Sequence, residues 1–487
     1  MTSPLIREIR SLGEAFLSHL NLHTYLNLSG SERRSEFARI YSSYPALFDP
    51  DVYREIKALE PAGSTEEATK HLIQGFLGRV ILGARTALLR DRMTQVECEE
   101  QVEFGERLLT LREIKLLIKL EEDRYGREML SRLIAIPVHK INRYKLEELY
   151  TWHHAASELG YRSYIEFAQD ANPMDIEALR HTALELLAET EYVYGDVLKW
   201  LLQRKLGLTK ARRHDLDYLT NSFEYRELFR KRSLKTTLER FFHEFGVPIA
   251  GGIECDTEAR SLKVQTVPAL PVNPPRYVVF AIYPLDSIED YASYLHQYAR
   301  ALSFAFASDD DPFELRYLRD ETGLEAIGSL FENLLLEPKW LSRYHRLETS
   351  RDVMLLLGFR QLLRARLLSA NFLYSLSLHE DTDFPRREGL YKEVMERATL
   401  CEHDSSNYLL DEEPFFPSAN RLLGFIISHS LAHSLRERYD EQWWRDYKGC
   451  QEIKSIWKAE GDAIESGPAD PGEGYRHLLL FLESIFG

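Results

Sequence analysis

The stretch RYVVFAIYPLDSIEDYASYLHQYARALSF (residues 276–304) decides how this chain folds. Its first part, YVVFAIY (277–283), is a β-branched and aromatic run of strand length. Pro284 closes it. Ser287 and Asp290 then stand at the spacing at which a helix N-cap and its capping carboxylate exchange hydrogen bonds. Tyr291, Leu295, Tyr298 and Leu302 follow at helical spacing. A strand therefore runs directly into a helix, and that helix carries His296, Gln297 and Arg300 within little more than one turn.

Upstream, KVQTV (263–267) reads as a second strand and the proline-rich PALPVNPP (268–275) as the loop between them. This predicts a small antiparallel sheet with at least one edge strand. The strand 277–283 is expected at that edge, lining a cleft where it could pair with an extended peptide. Elsewhere, long helical periodicity dominates. Apolar residues recur at three- and four-residue spacing over 102–136, 176–204, 351–379, 421–438 and 475–486. No fixed-period repeat and no low-complexity linker divides the chain.

The 487 residues are 44% hydrophobic and 28% charged, ample for a large core, and the net charge of −16 argues against nucleic acid and anionic membranes as partners. The basic run RKRSLK (230–235) is too short to reverse this and reads as a solvated face. Cys98, Cys255, Cys401 and Cys450 are scattered without a C-x-x-C pair, which predicts neither a disulfide framework nor a thiolate metal site and fits a reducing, cytoplasmic setting. The N-terminal stretch lacks the apolar core of a signal peptide. No uninterrupted apolar run approaches the ~18 residues of a membrane span.

His296-Gln297-Tyr298-Ala299-Arg300 occupies the frame H-E-x-x-H, in which two histidines one turn apart hold zinc and the glutamate activates a water. Only the first histidine is present. A lone helical histidine is ordinarily structural. The segment ETGLEAIGSLFENLLLEPKWL (321–341), however, supplies a second amphipathic helix with Glu325 beside its apolar residues. HEFGV (243–247) mimics the same frame but runs into Pro248 and reads as a helix end. His429 and His433 stand at i, i+4 in HSLAH, a chelating spacing, with Ser430 rather than a base between them. HLNLH (19–23) and WHH (152–154) are weaker signals. There is no phosphate-cradling glycine loop, nucleophile elbow or thiol–histidine motif.

Blocks in order then carry a resemblance. HHAASELGYRSYIEFA (153–168), DLDYL (215–219), RFFHEFGVPI (240–249), the stretch 255–304, PFELRYLRDETGLEAIGSLFENLLLEPKWL (312–341) and EQWWRDYKGCQEIKSIWKAEG (441–461) together resemble the helical zinc oligopeptidases. These are the oligopeptidase F and thimet oligopeptidase group, with relatives in angiotensin-converting enzyme and thermostable carboxypeptidase. The resemblance spans roughly residues 100–460. It implies that His296 matches the first zinc histidine and Glu325 the zinc glutamate. It places Gln297 where the general base belongs, Arg300 where the second histidine belongs, and Ser303 where a further histidine is common. The family's late oxyanion-stabilising tyrosine has no counterpart, because no tyrosine occurs between Tyr408 and Tyr439.

Glutamine takes no proton at neutral pH, and general base catalysis contributes typically about 10²–10⁴-fold. Arginine stays cationic and is no metal ligand. Arg300 could instead replace the metal as the partner of Glu325, with His296 and Gln297 hydrogen-bonding nearby; the alternative is that both charges face solvent. The expected fold is mainly α: a two-lobed helical peptidase-like bundle with a deep central cleft and a small antiparallel sheet. Residues 1–150 would form a helical lid and part of one lobe, and 151–487 the peptidase-like core. The leading functional reading is a catalytically inactive homologue that retains peptide or protein-partner binding and no cofactor, with zinc the implied cofactor if that reading fails. Two alternatives stand beside it. One is an active enzyme with a rebuilt site, either a metallopeptidase using His429 and His433 or a non-hydrolytic enzyme. The other is an interaction protein with a closed cleft.

Overall fold

The computed structural model describes residues 4–247, 252–348, 350–458 and 471–486. The molecule is mainly helical, with a small sheet wedged between helices. The sheet comprises β3 (Ile253–Asp256), β4 (Thr266–Asn273) and β5 (Tyr277–Ile282), after a hairpin of β1 (Gln101–Phe104) and β2 (Arg107–Thr110). β4 and β5 are antiparallel, and β3 joins the far side of β5 in parallel.

That order corrects the reading of 277–283 as an edge: β5 is the central strand, which fits its run of buried residues from Val278 to Ile282. The loop assigned to PALPVNPP is likewise corrected. β4 runs through Pro268 and Pro271 as far as Asn273, while residues 263–265 precede it. Prolines are tolerated there because β4 is an edge strand, and the register shifts between Val267 and Leu270, around Pro268. Val278, Phe280 and Ile282 face the helix Ile288–Ala305, packing with Tyr291, Leu295 and Tyr298. Val279 and Ala281 face the other way, toward Tyr25 on the helix Pro4–Leu28.

The region 102–136 is not one helix. The β1–β2 hairpin turns at Gly105 (φ +62°) and Glu106. A helix then runs Leu111–Leu120, started by a Thr110–Glu113 capping box. Asp123 caps the next helix, Arg124–Glu158, by accepting the Gly126 N–H at 2.7 Å. Residues 176–204 divide in the same way at Thr190, into Ile176–Glu189 and Glu191–Leu201. Local caps at Thr110 and Asp123 override the continuous apolar period in the first region, whereas Thr190 makes no side-chain cap bond to the helix it precedes. The helices Arg351–Glu380, Pro417–Tyr439 and Pro471–Phe486 contain the other predicted segments. The helix through His243 ends at Glu244, followed by Gly246 at φ +81°; Pro248 lies outside the described residues, as do 459–461 of the last resembling block.

The main apolar cluster draws residues from Ile6 to Leu482, so early and late parts of the chain share a core. The helix Ser64–Glu99 is long and apolar enough to cross a membrane by length and composition, but its most apolar window is 67% buried within the fold.

Candidate functional site

The helix Ile288–Ala305 is fixed at its start by Asp290, while the buried Ser287 hydroxyl at the N-cap makes no hydrogen bond. The Asp290 carboxylate accepts the Leu285 N–H at 2.9 and 3.0 Å and the Ser287 N–H at 3.3 Å. This sets which face of the helix meets its neighbour, Glu321–Glu332. Two glycines permit the close approach. A Cβ on Gly328 would lie 2.7 Å from His296 Nε2, and one on Gly424 would lie 2.5 Å from Glu325 Cβ. Glu325 is thereby pressed between the His296 helix and the helix Pro417–Tyr439.

Arg300 donates through Nη1 to Glu325 Oε1, and through Nη2 to Glu321 Oε2 at 3.1 Å. Glu325 Oε2 lies 3.3 Å from His296 Nε2. His296 Nδ1 in turn lies 3.2 Å from Glu332 Oε2. Arg364, on the helix Arg351–Glu380, pairs with Glu332 and reaches Ser329 Oγ at 3.2 Å. An ionic row, Glu321–Arg300–Glu325–His296–Glu332–Arg364, therefore crosses three helices. The Arg300 side chain is only 9% exposed and that of Glu325 13%.

The electrostatics follow from this row. Burial pushes Glu325 up, but Arg300 and His296 outweigh it and hold the carboxyl well below its usual range. Burial opposes ionisation of Glu332 too, and Arg364 with His296 brings it down to about 2. Burial also disfavours the Arg300 charge, yet Glu325 and Glu321 raise its guanidinium further. Each charge is tolerated because its neighbour is present; an isolated buried charge would be prohibitively costly.

Gln297 points elsewhere. Its Oε1 accepts the Ala269 N–H of β4 at 2.9 Å. The remaining edge of β4 is largely committed. Pro268 and Pro271 have no N–H, Pro271 O accepts from Asn21 Nδ2 at 2.8 Å, and Val272 O accepts from the Tyr317 hydroxyl at 3.4 Å. Strand addition by an extended peptide at the β4 edge thus finds few free groups, and β5 is central to the sheet.

Zinc requires lone pairs converging on one point and an open position for water. At this site the His296 Nε2 already faces a carboxylate, and a guanidinium occupies that same carboxylate. Among the described residues no group of three or more His, Cys, Asp or Glu is arranged to hold a metal ion. The residues present do not fit zinc.

His429 and His433 are not brought together on a common point. His429 is buried between Phe425 and Phe481, and burial, with Arg436 and Arg364, pushes it down to about 3. His433 stacks on His477 at 4.0 Å and lies 3.3 Å from Glu437. The other histidine motifs have local partners. His23 accepts the Glu36 N–H at 3.0 Å, His153 meets His379 at 3.0 Å, and Glu244 beside His243 accepts from Tyr344 at 2.7 Å. Glu321 and Glu332 were recoverable from sequence: with Glu325 they stand at i−4 and i+7, one stripe of a helix. Arg364 carries no local signal, since only tertiary packing brings its helix to Glu332.

No family model matches the sequence, and no curated protein matches it. Solved structures do share the fold. A Bacillus anthracis str. Ames protein assigned as oligoendopeptidase F superposes with a TM-score of 0.63 at 12% identity, covering 92% of this chain and 85% of that one. PZ peptidase A, solved with an inhibitor, gives 0.63 at 12% identity over 90% and 83%. The Pyrococcus furiosus carboxypeptidase gives 0.56 at 12% identity over the full length of both chains. The chain therefore has a metallopeptidase-like helical fold.

Proposed function

We propose that this protein is a catalytically inactive homologue of the zinc oligopeptidases, in which a fixed internal cation replaces the metal. The observation that carries the reading is the Arg300 guanidinium seated on Glu325, the residue at the zinc-glutamate position. Gln297, at the general-base position, supports it, because its amide binds backbone and has no basic oxygen to offer a water. Without a metal-polarised water and a base, peptide hydrolysis by this route loses both of its drivers. The cleft is then free to serve recognition of a peptide or a protein partner in the cytoplasm. The commitments along β4 disfavour strand pairing at that edge.

Incubation of the purified protein with a quenched-fluorescence peptide library, with and without chelator, tests this. No chelator-sensitive hydrolysis is expected. Turnover abolished by chelation and by His296→Ala would overturn the reading.

A further inference from the structure

Away from the ionic row, a cavity of about 610 Å3 lies between the helix Leu111–Leu120, the start of the helix Arg213–Asn221 and the segment 402–411. None of His296, Arg300 and Glu325 lines it. It shares Tyr391, Asn407 and Asp411 with a smaller pocket of about 60 Å3. The smaller pocket thus adjoins the larger one as a side chamber across these residues, and its chemistry is distinctive.

Three tyrosines, Tyr374, Tyr391 and Tyr408, line the side chamber, with the rings of Tyr374 and Tyr391 edge-to-face at 5.1 Å. Oxygen acceptors surround them. The buried Asn407 Oδ1, Ser418 Oγ and Tyr374 hydroxyl have no hydrogen-bond partner, and Tyr374 is 4% exposed. Such orphaned buried groups are uncommon and call for an explanation. The Glu412 carboxylate is also buried. Its Oε1 accepts from Ser375 Oγ at 2.6 Å and lies 3.3 Å from His379 Nε2, so these contacts leave the second oxygen unused. Arg421, the cation on the wall, is engaged by Glu413 at 2.8 Å. Burial and Glu412 hold the Tyr374 phenol far above its usual range, so it remains a hydroxyl.

We propose that this side chamber receives the primary ammonium group of a ligand whose body occupies the larger cavity. A carboxylate, an amide oxygen and hydroxyls suit a group with three N–H donors and no acceptor. Aromatic walls add cation–π attraction. A volume of about 60 Å3 leaves room for an ammonium group. A metal ion is the poorer fit, since no three acidic, His or Cys side chains converge there among the described residues.

Calorimetric titration of the full-length protein with n-butylammonium, tetramethylammonium and calcium chloride distinguishes the sources. Saturable binding of n-butylammonium is expected, with tetramethylammonium, which has no N–H, bound at least about tenfold more weakly. Tyr374→Phe, which keeps the ring, should weaken n-butylammonium about tenfold, and Glu412→Gln should abolish it. Because Glu412→Gln could disturb Ser375 and His379, the Tyr374→Phe result stands as an independent arm. The proposal is overturned if n-butylammonium does not bind, if it binds unchanged in Tyr374→Phe, or if calcium alone binds.

Discussion

Gln297 Oε1 accepts the Ala269 backbone N–H at 2.9 Å, tying the helix Ile288–Ala305 to the edge strand β4. Under the proposed reading, the contact engages both the residue at the general-base position and an edge of the sheet. With Arg300 on Glu325 one turn further along the helix, the region behaves as a structural joint between helix and sheet.

Replacing Gln297 with alanine removes the acceptor and leaves a buried N–H without a partner. A loss of about 1–3 kcal/mol is expected in urea unfolding. Gln297→Glu retains an acceptor oxygen and should cost less than Gln297→Ala; equal losses would mean the Ala269 bond contributes nothing.

Arg300→Met strands Glu325 with only His296 as a partner. Removing one member of a buried pair typically costs about 3–5 kcal/mol. Removing both, as Arg300→Met with Glu325→Leu, should cost much less than the two single losses together. Additive single and double losses would place the pair in solvent-like surroundings.

Acid should unfold the protein through two windows. The first belongs to buried histidines: burial depresses His153, His345 and His403 to about 4 and His429 to about 3, from an unfolded value of about 6.5. The unfolded chain binds the extra proton, so stability is full above pH 6.5 and falls as pH drops toward 3. The second belongs to Glu325 and Glu332. Their folded values lie below the unfolded value of about 4.3, with Glu332 at about 2. Their contribution is full above about pH 4.3 and is lost as pH falls through the folded values. Stability measured by denaturant titration from pH 7 to 3 should therefore have a shallower slope in His429→Leu. Glu332→Gln should flatten only the part below about pH 4.3. An unchanged slope in either variant contradicts its assignment.

Much of the site was legible in the sequence, and less of the sheet. Ser287 and Asp290 announced the helix, because a capping box is a local pattern. The helical stripe carrying Glu325 was equally local. The strand order was not, since Tyr277–Ile282 reads alike as edge or centre until β3 is placed beside it. The proline-rich β4 reads as a loop because prolines usually break strands, and only its edge position and shifted register make them tolerable. The break of residues 102–136 into hairpin and helices was hidden by a continuous apolar period. Its caps at Thr110 and Asp123 are short local signals inside that longer period.

The central claim is that Arg300 holds the electrostatic place of a metal, and zinc content tests it most directly. Metal analysis after equilibration with zinc and removal of excess should give no stoichiometric zinc in the wild type. Gln297→Glu combined with Arg300→His should bind about one equivalent, lost again on His296→Ala. One equivalent of zinc in the unaltered protein, released by His296→Ala, would contradict the account.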